Sequence, residues 1–294
     1  MVELSLRDRV RSMGKPAPRV MEHDQADQSL SVLSVAVWGP NGAPGKSTLA
    51  LNLADVLAHA GSRVLLVDAD LVSPSLALQL GVEDQASGLS AACKLAREAN
   101  LNAEQLDRVS VKITGGSAAF SLLPGISGAS RWPEITPSAI ESILRVASAR
   151  FDCVIFDTSS SLEPALRTDA AALARNELTR HLASSVDHLL AVAACDPISI
   201  QRMLRQIADI QKFRAGLKLS LIVNRVRDTT FGTQPEKQVA QLFSQLAKIE
   251  PSFYLYEDAV AHEAALRSAL PVRLAKRRSA YLKGVNLVAT ALQG

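Results

Sequence analysis

The residues with the most chemistry in them form one stretch: Val35-Ala36-Val37-Trp38-Gly39-Pro40-Asn41-Gly42-Ala43-Pro44-Gly45-Lys46-Ser47-Thr48. An apolar run feeds a Gly/Pro loop, and Gly-Lys-Ser-Thr opens a helical pattern. That is the strand–loop–helix setting a phosphate-binding loop requires. Free N–H groups at a helix N-terminus point at phosphates, and the helix dipole favours their negative charge. Asn41, Gly42, Ala43, Pro44, Gly45, Lys46, Ser47 and Thr48 are therefore the candidate nucleotide-binding loop. Lys46 is expected to neutralise the β- and γ-phosphates, and the Ser47 hydroxyl to ligate Mg²⁺. Gly-Lys-Ser alone is common, and an ordinary turn with a surface lysine competes with this reading. The strand-to-helix context decides against that competitor.

Two further apolar runs end in carboxylates. Val64-Leu65-Leu66-Val67-Asp68-Ala69-Asp70 sets two acids where a buried strand runs out. In an open α/β sheet that edge is the ligand crevice. Asp70 is read, with Lys46, as catalytic: it would orient or deprotonate an attacking water. Asp68 is read as holding the metal's shell or the loop. Val154-Ile155-Phe156-Asp157 ends the same way, and a carboxylate there can meet a metal beside the loop serine. Ser47, Asp68 and Asp157 are the candidate metal-side residues. Thr158 to Ser161 form a polar loop within reach of a terminal phosphate. A fourth run, Leu221-Ile222-Val223-Asn224-Arg225, ends in an amide that can offer both a donor and an acceptor to an adenine edge. Taken singly, each acid is as easily a helix cap or a solvated loop residue. Three strand ends converging on one crevice make the shared reading the stronger.

The elements that must position these groups are short apolar strands alternating with helical patterns. Strands are expected over 32–38, 63–67, 153–156, 188–193, 218–223 and 253–256. Helices are expected over 46–60, 75–80, 89–99, 137–149, 165–183, 198–213, 235–249, 260–269 and 275–292. Residues 109–113 and 118–123 flank Gly115-Gly116 as a hairpin or an irregular crossover. This alternation indicates βαβ units and a mainly parallel sheet flanked by helices on both faces, a single α/β domain over 31–294. Residues 1–30 are polar and broken by Lys15-Pro16-Ala17-Pro18, and read as a flexible tail.

Composition agrees. Apolar residues make up 48% and aromatics only 4%, so the core must be aliphatic, which favours buried parallel strands. A formal net charge of +3 does not argue for nucleic acid. Cys93, Cys153 and Cys195 are scattered without a CxxC pair, which speaks against a disulfide framework or a cysteine metal site and fits a reducing cytoplasm. His59, His181, His188 and His262 lack ligand spacing. No apolar run reaches membrane-spanning length. The basic stretch Arg267, Arg273, Lys276, Arg277, Arg278 and Lys283 is read first as a solvated helix face; DNA or anionic lipid is its less supported partner.

In order and spacing these signals resemble the ParA/MinD family of deviant-Walker P-loop ATPases, from about Leu33 to the C-terminus. Gly42-x-x-Gly45-Lys46-Ser47-Thr48 with Leu51-Asn52-Leu53-Ala54 looks like that family's loop and first helix. Val67-Asp68-Ala69-Asp70, followed by Pro74-Ser75-Leu76, looks like its second strand and switch region. Phe151 to Asp157 looks like its Walker B strand, Val223-Asn224-Arg225 like its adenine-reading turn, and Glu257-Asp258 like its base- or ribose-side loop. Val37-Trp38-Gly39-Pro40, Arg131-Trp132-Pro133-Glu134 and Asp196 to Gln201 are similar to the CpaE/TadZ subgroup, which places pilus machinery. The resemblance implies a SIMIBI-type P-loop fold, ATP and Mg²⁺ as cofactors, an ATP-dependent homodimer, a protein partner in a positioning or pilus system, and a cytoplasmic protein peripheral to the inner membrane face.

The loop departs from the family pattern. Asn41 stands where the family carries a signature lysine that crosses the dimer interface, Ala43 replaces a glycine, and Pro44 lacks an N–H. These departures imply ATP binding with slow or partner-dependent hydrolysis, a weak ATPase. Arg131, Arg167 and Arg225 are candidates to supply the missing charge. The rival readings are a pseudo-ATPase scaffold, a metallochaperone ATPase, which the lack of CxxC disfavours, and a small-molecule kinase or ligase.

Overall fold

A computed structural model of the chain describes residues 32–82, 87–116, 118–164, 175–213, 216–228 and 231–294. The tail expected over 1–30, Arg167 and most of the helix expected over 165–183 lie outside the described residues.

In chain order the first half holds β1 (Leu33–Trp38), α1 (Lys46–His59), β2 (Val64–Ala69), α2 (Leu76–Gln79), α3 (Gly88–Arg97), α4 (Ala103–Val109), β3 (Val111–Gly115), β4 (Ala118–Leu123), a 3-10 turn (Ala129–Glu134) and α5 (Pro137–Ala147). The second half holds β5 (Cys153–Thr158), α6 (Glu177–Ser185), β6 (His188–Ala194), α7 (Pro197–Ile210), β7 (Lys218–Val226), α8 (Pro235–Ala247), β8 (Phe253–Tyr256), α9 (Ala259–Ser268), α10 (Val272–Ala275) and α11 (Ala280–Gln293).

The strands form one eight-stranded sheet in the order β3-β4-β2-β5-β1-β6-β7-β8. Every pairing is parallel except β3 with β4, so the Gly115-Gly116 segment is a hairpin. Strand alternation divides the core into two layers. From β1, Val35 and Val37 face one side with Leu49, Leu53 and Leu57 of α1 and Val285 and Val288 of α11. Ala36 and Trp38 face the other, where α3, α5, α6, α7 and α8 bring Leu89, Ile140, Leu182, Met203 and Phe243. Buried on both faces, the central strands read as continuous apolar runs, which is why they were visible in the sequence.

Helix starts follow local chemistry. Thr136 caps α5 and Asp196 caps α7, each followed by proline at the first helical position, where a missing N–H costs nothing. Three short elements escaped the sequence reading. The seven residues of α4, capped by Asn102, and the six-residue 3-10 turn around Pro133 fall short of the window over which helical periodicity shows, and α10 is a single turn. The last helix begins at Ala280 rather than 275, because Pro271 opens a separate single turn, α10.

The basic C-terminal stretch is partly structural. Arg273 makes two hydrogen bonds to Asp55 of α1, at 2.7 and 2.8 Å, and Lys276 pairs with Asp258 at 3.0 Å. Asn52 of α1 accepts from the Val272 N–H and donates to Thr48 O. The helix that carries the loop lysine is thus stapled to the chain's end. Asp55 is buried, and breaking a buried pair from one side strands the other charge. Arg273→Ala should cost about 3 kcal/mol. Replacing Asp55 and Arg273 together by leucine should cost less. Urea unfolding of both variants checks this; equal losses would mean that the pair is not coupled.

Candidate functional site

The crevice lies where the parallel strands end. β1 sits at the point where strand order reverses, with β5 and β2 on one side and β6 and β7 on the other, and its loop opens into the gap between the two halves. Gly42 (φ 116°), Ala43 (φ 53°) and Gly45 (φ 97°) all have left-handed backbone, and Gly45 turns directly into α1. Positive φ favours glycine at both 42 and 45; a Cβ at 45 would also collide with the buried Asn224 amide, and one at 42 would displace the Arg202 guanidinium. Lys46 and Ser47 are the first residues of α1, so its unpaired N–H groups and positive dipole end face the crevice.

Parity places the metal-side acid. Ile155 packs in the α1 layer, so Asp157, two residues on, faces the same way, toward the start of α1. Register sets Asp157 beside Asp68 of β2. Asp157 is fully buried, and neither carboxylate oxygen has a hydrogen-bond partner among the described residues. Burial pushes its pKa well above the usual carboxylate range, and the Asp68 charge adds to that; Ser47 and Lys46 pull the other way. Lys46, also buried, donates to Ser160 Oγ at 2.5 Å. Burial lowers its pKa against the opposing pull of Asp157 and Asp70.

An unpaired buried carboxylate beside a loop serine fits a divalent cation. Among the described residues no group of three His, Cys, Asp or Glu gathers that could hold a metal. Mg²⁺ does not need one, since it takes one or two protein oxygens and fills its shell with phosphate and water. Ser47 and Asp157 are the residues present for that role.

Asp68 has a different occupation. Its Oδ2 accepts from the N–H groups of Ser75 and Leu76, both at 3.0 Å, and Oδ1 from that of Asp70 at 3.3 Å. Loop bracing, one of the two roles read for it, uses these oxygens. Burial still pushes its pKa up to about 6. Asp70 lines the crevice, and its Oδ1 accepts from Val72 N, Ser73 N and Ser159 Oγ, all at 2.9 Å. Its other oxygen has no hydrogen bond among the described residues and is available to a water.

Beside the loop crevice lies a more apolar cavity of about 340 Å³, reached past Gly45 and Thr48. Asn224, Arg225, Tyr256, Glu257 and His262 line it, and Arg225 borders both spaces. Asn224 Nδ2 donates to Pro44 O at 2.8 Å, and its Oδ1 accepts from Arg225 N at 2.9 Å. An amide has two N–H groups and two lone pairs, so one of each is left for a base edge. Glu257 lines this cavity while pairing with Arg227; Asp258 instead caps α9 and holds Lys276.

Of the arginines considered as a source of the missing charge, Arg225 is at the crevice. Arg131 is held by both oxygens of Glu134 and does not border it. The arginine that touches the loop is one the sequence reading missed: Arg202 of α7 donates to Asn41 O at 2.7 Å. No local signal marks it, because it lies 161 residues from its partner. Ser159 and Ser160, noted only as part of a polar loop, prove to be the hydroxyls that hold Asp70 and Lys46.

Comparison with known proteins agrees with this geometry. The septum site-determining protein MinD of Synechocystis sp. is 30% identical over 193 residues, 66% of this chain and 64% of that one. The chain spans at most 66% of the length of the curated relatives it matches. A ParA family ATPase from Chlorobium tepidum has a solved structure that superposes with a TM-score of 0.73 at 18% identity, covering 88% of this chain and 98% of that one. The septum site-determining protein MinD complexed with Mg-ADP from Pyrococcus horikoshii gives 0.65 at 18% identity, with 89% and 96% covered. These likenesses carry the fold. Residues 35–269, well over half the chain, match the CobQ/CobB/MinD/ParA nucleotide binding domain, and the chain belongs to that family of P-loop proteins.

Proposed function

We propose that the chain is a ParA/MinD-type positioning or partitioning ATPase that binds ATP and Mg²⁺ and recruits a protein partner in one nucleotide state. The observation that carries this is Asp157: a fully buried carboxylate whose oxygens make no hydrogen bond of good geometry among the described residues, facing Ser47 and Lys46 at the start of α1. Such a group is costly unless a ligand completes it. The Mg-ADP bound by the Pyrococcus MinD supports the same choice of ligand.

In this reading Lys46 and the N–H groups of α1 hold the β- and γ-phosphates, Ser47 and Asp157 hold the cation, and Asn224 reads adenine with its remaining donor and acceptor. Mg²⁺, when bound, offsets charge on the phosphate oxygens. Asp70 orients the attacking water with its free oxygen, while Ser159 and the Val72 and Ser73 N–H groups fix the other. Turnover is slow or partner-dependent, because Asn41 is neutral and Pro44 offers no N–H. An ATP-dependent homodimer is correspondingly weak. The motifs shared with the CpaE/TadZ group suggest a pilus-positioning partner and a protein that works at the cytoplasmic membrane face. Among the described residues no helix is long and apolar enough to cross a membrane. Asn41 and Pro44 favour one second reading, a scaffold that binds nucleotide without turning it over.

Lys46→Ala should lower ATP·Mg²⁺ affinity about 100-fold, since it removes the charge expected at the phosphates. Isothermal calorimetry decides, and affinity within a few-fold of the parent would sink the loop assignment. Asp70→Ala should cut steady-state phosphate release by about 100-fold; an unchanged rate favours the scaffold. Asp157→Asn should weaken Mg²⁺-dependent binding about tenfold while leaving Mg²⁺-free binding nearly intact. Equal loss of both would make Asp157 a structural residue.

A further inference from the structure

The phosphate loop lacks constraints of its own. Ala43 carries a Cβ yet sits at φ 53°, a left-handed conformation that a residue with a side chain rarely adopts. Pro44 has no N–H to donate. Among the described residues, no backbone–backbone hydrogen bond outside the helices and strands involves Asn41 to Pro44. Asn41, Gly42 and Ala43 are exposed and only Pro44 is buried, so the tip of the loop should wander, which would misplace the N–H groups that phosphates need.

Two side chains from distant elements hold this segment. Arg202 Nη1 donates to Asn41 O at 2.7 Å, and Asn224 Nδ2 donates to Pro44 O at 2.8 Å. One grips the loop where it leaves β1 and the other where it enters α1. Both stand on rigid supports. Arg202 follows buried Ile200 and precedes buried Met203 on α7, a helix capped by Asp196, and Asn224 is itself buried at the end of β7, between β6 and β8. Among the described residues Arg202 has no carboxylate within ion-pair distance, so its guanidinium is not diverted from the loop. Gly42 and Gly45 leave the room that the two clamps occupy.

We infer that Arg202 and Asn224 are positioning residues that hold the phosphate loop in its ligand-binding shape from outside the motif. Their hydrogen bonds go to carbonyls, which leaves the loop N–H groups free to face phosphate. For Asn224 this is a second task beside the base, so its loss should weaken phosphate binding as well as base choice. The inference rests on the reading of this loop as a phosphate site.

The test is backbone ¹⁵N relaxation of the full chain without nucleotide, paired with ATP·Mg²⁺ calorimetry, on Arg202→Ala, Asn224→Ala and Arg202→Lys. Each alanine variant should lower the order parameters of the N–H groups from Asn41 to Ser47, with those of helix α11 unchanged as an internal reference, and lower ATP·Mg²⁺ affinity about tenfold. Arg202→Lys keeps a donor and a charge and should recover most of both. Unchanged loop order parameters in both alanine variants overturn the inference, whatever happens to affinity. A more mobile loop with unchanged affinity upholds the clamps and refutes the loop as the phosphate site. Should Asn224→Ala fail to fold, Arg202→Ala, at an exposed position, decides alone.

Discussion

An ammonium and a carboxylate lie buried at the same strand ends without forming an ion pair. Lys46 is 8% exposed and Asp157 is fully buried, and each feels the other's charge without contact. Burying unpaired charges is among the costliest things a fold can do. The arrangement is tolerable because the helix dipole and the Ser47 hydroxyl ease the carboxylate, the neighbouring acids and the Ser160 hydroxyl ease the ammonium, and a phosphate and a cation would meet both groups at once. The sheet, the crevice and the loops around it are arranged about that unfinished pair.

The acids next to it are divided by their hydrogen bonds. Asp68 and Asp157 are register partners on adjacent strands, yet Asp68 is loaded with backbone N–H donors and Asp157 has none. The first holds the turn after β2 in place; the second receives no backbone donor among the described residues. Asp70 lies between these extremes, with one oxygen anchored and one free. Three aspartates at two strand ends thus stand in three different hydrogen-bond settings, set by where the backbone donors fall.

Charge elsewhere is used to fasten the molecule rather than to extend its surface. Arg273 and Lys276 close onto Asp55 and Asp258 and tie α1 to the C-terminal segment. This draws two residues out of the basic stretch and leaves less of it to attract DNA or lipid. It also makes the position of the loop lysine depend on contacts more than 200 residues away in the chain.

The strand–loop–helix start, the three strand-end acids and the Asn224 turn were legible in the sequence, because continuous apolar runs and Gly/Pro punctuation are local signals. So was the α/β class, which follows from strands and helices taking turns. The sequence by itself thus determined which residues could meet a nucleotide and on what kind of sheet. It could not divide the labour among them. Whether Asp68 or Asp157 is free, what spans the loop at Asn41, and whether Arg273 of the basic stretch is spent in an ion pair depend on partners 100 or more residues distant, or on backbone donors whose direction is set by a turn. Hydrogen bonds and ion pairs of that kind are decided by which elements the sheet order makes neighbours, and that order is a property of the packed structure alone.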